Sequence, residues 1–383
     1  MIHSIVDTDF YKLTQHIAVM SNYPNVEVVY RFNDRNNLTY PDGFDIKLKE
    51  CLYQAQELTL TEAEEKGLRN IDEIPEWYID FLKKFRFNAE SVNIDFTDNK
   101  LNIDIRGMLY DEFLWDIPLM AIISELYFKE TGQIVDIHSH TMSDVIKFME
   151  MDEAGVNYAE FGTRRRYSYD NQKRILDILT SGSKNRGFIG TSNVHFSIIH
   201  NLKPIGTHAH EWIMINAAFN GYKYANRISM EKWLETFNGK LAIALTDTYG
   251  TKDFLKNFNE DLSNRYLGTR QDSGDPKEFY DHFKNHYKNL GIDLSSKTIV
   301  FSNGLNKDSA IDINYYCSET HNVCGMGTSI TNDVGVKPLN IVVKIYSLTI
   351  DGEIKHCVKL SDDYGKSAGE PNEVELCKKE IEI

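Results

Sequence analysis

Residues 266–276 read Tyr-Leu-Gly-Thr-Arg-Gln-Asp-Ser-Gly-Asp-Pro. The run starts as a short strand and stops in a small polar loop, after which Pro276 opens a helical pattern. Asp275 suits the N-cap, and Pro276 suits the first helical position, where a missing N–H is harmless. Phe279, Phe283, Tyr287 and Leu290 then share one helix face, and Gly291 ends the pattern. Strand, polar loop and amphipathic helix in that order make one parallel βα unit. The loop around residues 270–275 therefore precedes a helix N-terminus, where anions bind readily.

The same unit recurs on both sides. From about residue 141, helical segments (142–150 and 171–179 among them) alternate with short strands ending in small polar loops. These strand-loop stretches cover 158–163, 187–193, 204–211, 241–247, 266–275, 298–306 and 323–328. Seven such units favour a closed α/β barrel over an open sheet, and a barrel carries its chemistry at the C-terminal strand ends. Residues 1–130 differ, mixing strand-like runs at 26–32 and 101–105 with an acidic helical stretch at 61–68.

The chain has 383 residues, with 42 Lys and Arg against 57 Asp and Glu, a net charge of −15. That balance excludes a nucleic-acid coat or a polybasic membrane binder. With 42% hydrophobic and 12% aromatic residues, the chain can bury a sizeable core. Five cysteines without C-x-x-C spacing fit a reducing interior. The first residues lack the basic flank and apolar core of a signal peptide, and no apolar run nears the roughly 20 residues of a membrane span. A soluble, cytoplasmic protein is expected.

Several loops carry candidate chemistry. Arg164, Arg165 and Arg166 follow a strand end, but alternation prevents all three from facing one ligand. His208 and His210 form an H-x-H pair, as do His138 and His140, which raises a zinc-dependent α/β-barrel hydrolase as one reading. Asp247 ends another strand and could orient His210 as a base or nucleophile. Arg270, Asp272, Ser273 and Asp275 share one loop, where carboxylates could reach a phosphate ligand through magnesium or ribose hydroxyls. The turn from Gly325 to Thr328 is similar to a phosphate cradle.

Taken together, these blocks resemble the nicotinate phosphoribosyltransferase family, in order along the chain. They are D-T-D-x-Y-K at 7–12, E-F-G-T-R-R-R at 160–166, G-T-S-N at 190–193 and G-T-x-A-H-E-W at 206–212. L-T-D at 245–247, R-x-D-S-G-D-P at 270–276, F-S-N-x-L at 301–305 and G-x-G-T at 325–328 follow. P-L-N-I-V-x-K at 338–344, then K-L-S-D at 359–362 with Gly365 and Lys366, close the pattern.

The resemblance implies a type II phosphoribosyltransferase: an irregular, TIM-barrel-like α/β barrel at 136–339, plus an α+β domain of residues 1–135 completed by 340–383. It implies a homodimer with shared active sites that forms nicotinate mononucleotide and pyrophosphate from nicotinate and 5-phosphoribosyl 1-diphosphate. This is the first step of NAD biosynthesis from nicotinate, coupled to ATP hydrolysis through a phosphohistidine, with Mg²⁺. His210 matches the phosphorylated histidine, and Asp247 would orient it. Phe161 and the partner subunit's Tyr11 would sandwich the pyridine ring. Arg164 and Arg270 would face the nucleotide phosphate and the ring carboxylate, and Asp272 the ribose hydroxyls. Gly304, Gly327 and Thr328 would take the 5′-phosphate, with Thr207 and Ser273 also in the substrate site. Asn193 would bear on base choice, because a neutral amide does not repel a carboxylate. No protein metal ligands are assigned. His138, His140 and His195 match no family block.

Overall fold

The computed structural model describes residues 1–181, 187–363 and 367–382; Gly365 and Lys366 lie outside the described residues. Eleven strands are present among them: β1 Glu27–Asp34, β2 Val92–Thr97, β3 Lys100–Met108, β4 Tyr158–Glu160, β5 Phe188–Thr191, β6 Ile243–Leu245, β7 Gly268–Gln271, β8 Thr298–Phe301, β9 His321–Met326, β10 Ile341–Ile350 and β11 Glu353–His356. They form two sheets, which divide the chain's chemistry between them.

The first sheet has the order β11-β10-β1-β3-β2 and its pairings are antiparallel. It joins the two ends of the chain: β1 pairs with β10 from Glu27↔Thr349 to Asp34↔Ile341, with an irregularity at Val29/Tyr30. Val28, Tyr30, Ile103, Ile105, Val343 and Ile345 turn inward on one face, the period-2 signature of a sheet with one covered side. The mostly buried helix Asp116–Glu130 packs against this sheet and supplies Ile117, Leu119, Ile122 and Ile123 to the core. Trp115, Trp212 and Trp233 are fully buried in the same cluster.

The second sheet is parallel, in the order β5-β4-β9-β8-β7-β6. β4 and β7 are buried at every position, as parallel strands covered on both faces must be. Helix Pro276–Asn289 follows β7 as expected. Asp275 accepts from the backbone N–H of Lys277 and Glu278, and Phe279, Phe283 and Tyr287 are buried. Helices Thr141–Glu153 and Tyr169–Ser181 also match their expected places.

The expected strand in 204–211 is the exception. Pro204 forms one parallel bridge with Thr191, and Ile205 N–H donates to Thr191 O at 2.9 Å. On its other side, Thr207 Oγ1 donates to the carbonyls of Leu241 at 2.8 Å and Ile243 at 3.0 Å. This segment thus spans the space between edge strands β5 and β6 with a side chain where a ladder would run. No closed hydrogen-bonded barrel forms among the described residues. Pro204 has no N–H to pair, Ala209 N–H goes to Gln15 Oε1, and helix His210–Asn220 begins at once.

Candidate active site

The C-terminal ends of the parallel strands converge on a cavity of about 370 Å³. Phe161 follows β4, Ser192 follows β5, Arg270 lies near the end of β7 and Asp272 follows it, and Ser302 and Gly304 follow β8. Gly325, Gly327 and Thr328 come from the end of β9. Helix Phe10–Asn22 closes the remaining side, because Phe10 N–H donates to Ser192 O at 2.6 Å and Val194 N–H to Thr8 O at 2.9 Å. Asp9 and Tyr11 thereby line the cavity as well.

The aromatic wall has a steric cause. A Cβ on Gly325 would fall 2.4 Å from Cε2 of Phe161. Only glycine lets this ring lie against β9, with Phe161 N–H fixed to Met326 O at 2.7 Å. The cavity also has a cationic wall: Arg270 is buried and its Nε has no hydrogen-bond partner among the described residues.

His210 opens its helix and is held from two sides. Nδ1 lies 3.0 Å from Thr248 Oγ1; Nε2 lies 3.0 Å from Asp272 Oδ2 and 2.7 Å from Lys359 Nζ. Burial and the Lys359 charge lower its pKa, so the imidazole favours the neutral form despite Asp247 and Asp272 nearby. For Asp272, burial opposes ionisation, but the adjoining His210 ring and the Arg270 and Lys359 charges outweigh it and hold the carboxyl well below the usual range. Ser302 Oγ also donates to Asp272 Oδ1 at 2.9 Å. Ligand atoms of His210, Asp247 and Asp272 lie within 4.8 Å of one another, and Oδ1 of buried Asp247 has no hydrogen-bond partner among the described residues.

Family models for the nicotinate phosphoribosyltransferase N-terminal domain and for the nicotinate phosphoribosyltransferase family match residues 6–124 and 156–382. The chain belongs to this family. It is 40% identical to the nicotinate phosphoribosyltransferase of Desulforapulum autotrophicum, over 100% of this chain and 99% of that one. To that of Saccharomyces cerevisiae it is 36% identical, over 100% and 95%. The crystal structure of the Porphyromonas gingivalis nicotinate phosphoribosyltransferase superposes with a TM-score of 0.96, at 37% identity and full coverage of both chains.

Within the family pattern, the structure divides the expected residues into two groups. Tyr11, Phe161, Arg164, His210, Arg270, Asp272, Gly304, Gly327 and Thr328 line the cavity. Asn193, Thr207, Asp247 and Ser273 lie behind it, each engaged by protein. Asn193 is buried, donates to Asp7 Oδ1 at 2.8 Å and Thr163 Oγ1 at 3.1 Å, and caps the helix Val194–Ile199. Asn193 does not line the cavity, whereas neighbouring Ser192 does. Thr207 spends its hydroxyl on the sheet gap. Ser273 donates to Asp247 Oδ2 at 2.5 Å. Asp247 stands 3.9 Å from His210 Nε2, beyond hydrogen-bond reach, so Thr248 and Asp272 hold the ring.

Tyr11 lines the cavity beside Phe161. Among the three arginines, Arg164 and Arg165 reach the cavity, whereas buried Arg166 binds Asp7 bidentately at 2.9 and 2.8 Å. His208 does not join His210 in a metal pair: it is buried edge-on to Trp233, and burial plus the Arg270 and His210 charges push its pKa down to about 3. His138 and His140 sit on the short helix Ile137–His140, where no residue is buried. The zinc hydrolase thus loses both its H-x-H pairs. His195 bonds to Glu64 Oε1 and Tyr169 Oη, both at 2.9 Å. Lys359 is a site residue that the motifs did not single out; the only signal was its place in the K-L-S-D block.

Proposed function

We propose that this chain forms nicotinate mononucleotide and pyrophosphate from nicotinate and 5-phosphoribosyl 1-diphosphate. The observation that carries the reading is the convergence of Arg270, Phe161, Tyr11, Asp272 and His210 on one cavity. An aromatic acid needs a ring-stacking wall and a cation for its carboxylate, and a guanidinium fork suits that carboxylate.

In this reading the pyridine ring packs against Phe161 and Tyr11 with its carboxylate toward Arg270. Asp272 holds the ribose hydroxyls, and Arg164 with the Gly304, Gly327 and Thr328 backbone holds the 5′-phosphate. The ring nitrogen forms a bond to sugar C1 while the C1–oxygen bond breaks, and pyrophosphate leaves with the electron pair. The sugar becomes cationic on the way, and ionised Asp272 supplies the fixed negative charge that such a transition state needs.

Neutral His210 is proposed to take the terminal phosphoryl group of ATP. A bond from a ring nitrogen to phosphorus forms, the terminal phosphorus–oxygen bond breaks, and ADP leaves with that electron pair. Hydrolysis of the phosphohistidine then drives synthesis. Asp247 and Asp272 have the hard oxygen donors suited to Mg²⁺, and the orphan Oδ1 of Asp247 fits such a group. When bound, the ion would neutralise phosphate charge.

Residues 1–135 with 340–383, and 136–339, are proposed as two domains, because the strands of the antiparallel sheet come from the first set and those of the parallel sheet from the second. The irregular barrel reading gains support from the segment 204–207 between β5 and β6. A homodimer with shared active sites is proposed from the resemblance. Exposed Met142, Ile146 and Met149 on one face of helix Thr141–Glu153 support an assembly surface. No described helix is long and apolar enough to cross a membrane; a cytoplasmic location is proposed from composition. The test is base preference: with phosphoribosyl diphosphate, nicotinate should be consumed far faster than nicotinamide, and the reverse order would refute the reading.

A further inference from the structure

We propose that Lys359 is a phosphoryl-pairing residue: the ammonium that meets His210 in the resting chain is the cation that holds the phosphoryl group once His210 carries it. The proposal rests on the phosphohistidine reading above and deepens it. Lys359 Nζ lies 2.7 Å from His210 Nε2 and 3.6 Å from Asp247 Oδ2, and its side chain is only 11% exposed.

The position is built by backbone. Lys359 N–H donates to Ala368 O at 2.9 Å, and Ala368 N–H returns to Lys359 O at 2.7 Å. The next residue, Leu360, donates its N–H to Thr248 O at 2.8 Å, and Thr248 is the residue whose hydroxyl holds His210 Nδ1. Asp362 then accepts from Thr251 N–H at 2.8 Å, while its own N–H donates to Ser273 Oγ at 3.1 Å. Gly274 N–H donates to Asp363 Oδ1 at 3.1 Å. A C-terminal strap therefore binds the loops bearing Asp247 and Asp272 and delivers one ammonium to the histidine between them.

Charge explains why an ammonium belongs there. Around neutral His210, the carboxylates of Asp247 and Asp272 face the cations of Lys359 and Arg270, which balances. A phosphoryl group adds roughly −1.5 to −2, next to two carboxylates that would repel it. Lysine fits this position because three donors on a flexible stem let it leave a ring nitrogen for a phosphoryl oxygen without moving its backbone.

The test uses ATP labelled in its terminal phosphate and follows label on His210. The wild type should take label, Lys359→Gln should be labelled about 10- to 100-fold more slowly, the range of one charged hydrogen bond, and Lys359→Arg should recover most of the rate. Lys359→Gln labelled as fast as the wild type, or Lys359→Arg as slow as Lys359→Gln, overturns the proposal while leaving the phosphohistidine reading intact. An unlabelled wild type defeats both. The wild type also gives a readout that needs no variant: ATP should slow acylation of Lys359 by an amine-reactive reagent, read by peptide mass spectrometry, and an unchanged rate overturns the proposal.

Discussion

Thr248 Oγ1 sits 3.0 Å from Nδ1 of His210, one residue beyond the aspartate that the L-T-D block advertises. Asp247 instead accepts from Ser273 and stands 3.9 Å from Nε2. The hydroxyl fixes the ring plane, leaving Nε2 between Asp272 and Lys359. Thr248→Val keeps the shape and removes the partner. Its ATP-stimulated rate should fall about 3- to 10-fold, the worth of a neutral hydrogen bond. An unchanged rate in initial-velocity assays would mean that Thr248 does not position the ring.

Arg270 should dominate recognition of the acid. Arg270→Gln leaves a carboxylate without its cation, and KM for nicotinate should rise about 10- to 100-fold. The neutral amide should be affected far less. Equal loss for nicotinate and nicotinamide would place Arg270 on the phosphate instead.

Gly325 is fixed by the ring above it. Gly325→Ala would put a methyl 2.4 Å from Phe161 Cε2, so the ring must turn away. Weaker nicotinate binding is expected, with Phe161→Leu in the same background restoring part of the fit; a wild-type KM in Gly325→Ala contradicts this geometry.

The bidentate Arg166–Asp7 pair lies behind the site and also holds Asn193. Arg166→Met leaves a buried carboxylate unpaired, which should cost about 3–5 kcal/mol in urea unfolding. A loss within the roughly 0.5 kcal/mol typical of surface changes would show that the pair is expendable.

Acid should weaken the fold through two buried histidines. His16 is pushed down to about 3 by burial and the Lys12 charge, and His208 to about 3 by burial and the Arg270 and His210 charges. Unfolded, each binds a proton near about pH 6.5. The unfolded chain thus holds more protons below that pH, so stability is full above it and is lost as pH falls toward 3, at up to roughly 1.4 kcal/mol per pH unit for each histidine. His16→Phe should flatten that slope by one proton between about pH 6 and pH 4; an unaltered slope would remove His16 from the account.

Much of the fold is legible in the chain. Six of seven strand-loop units formed because their apolar cores and small polar ends leave few other options. The unit at 204–211 failed for a local reason, since Pro204 has no N–H to donate and Ala209 already caps a helix. Site residues were legible by block but not by direction. Of the neighbours Ser192 and Asn193 only Ser192 lines the cavity, and of Asp247 and Thr248 only Thr248 reaches the His210 ring within hydrogen-bond distance; both divisions depend on how N-terminal and C-terminal segments dock. Lys359 meets His210 across 149 residues, a proximity that no local pattern encodes.

The most direct test of the central claim is product formation from nicotinate and phosphoribosyl diphosphate, with and without ATP, by the wild type and His210→Asn. ATP should raise synthesis of nicotinate mononucleotide by the wild type and leave His210→Asn unstimulated. Equal stimulation of both would contradict the assignment of energy coupling to His210.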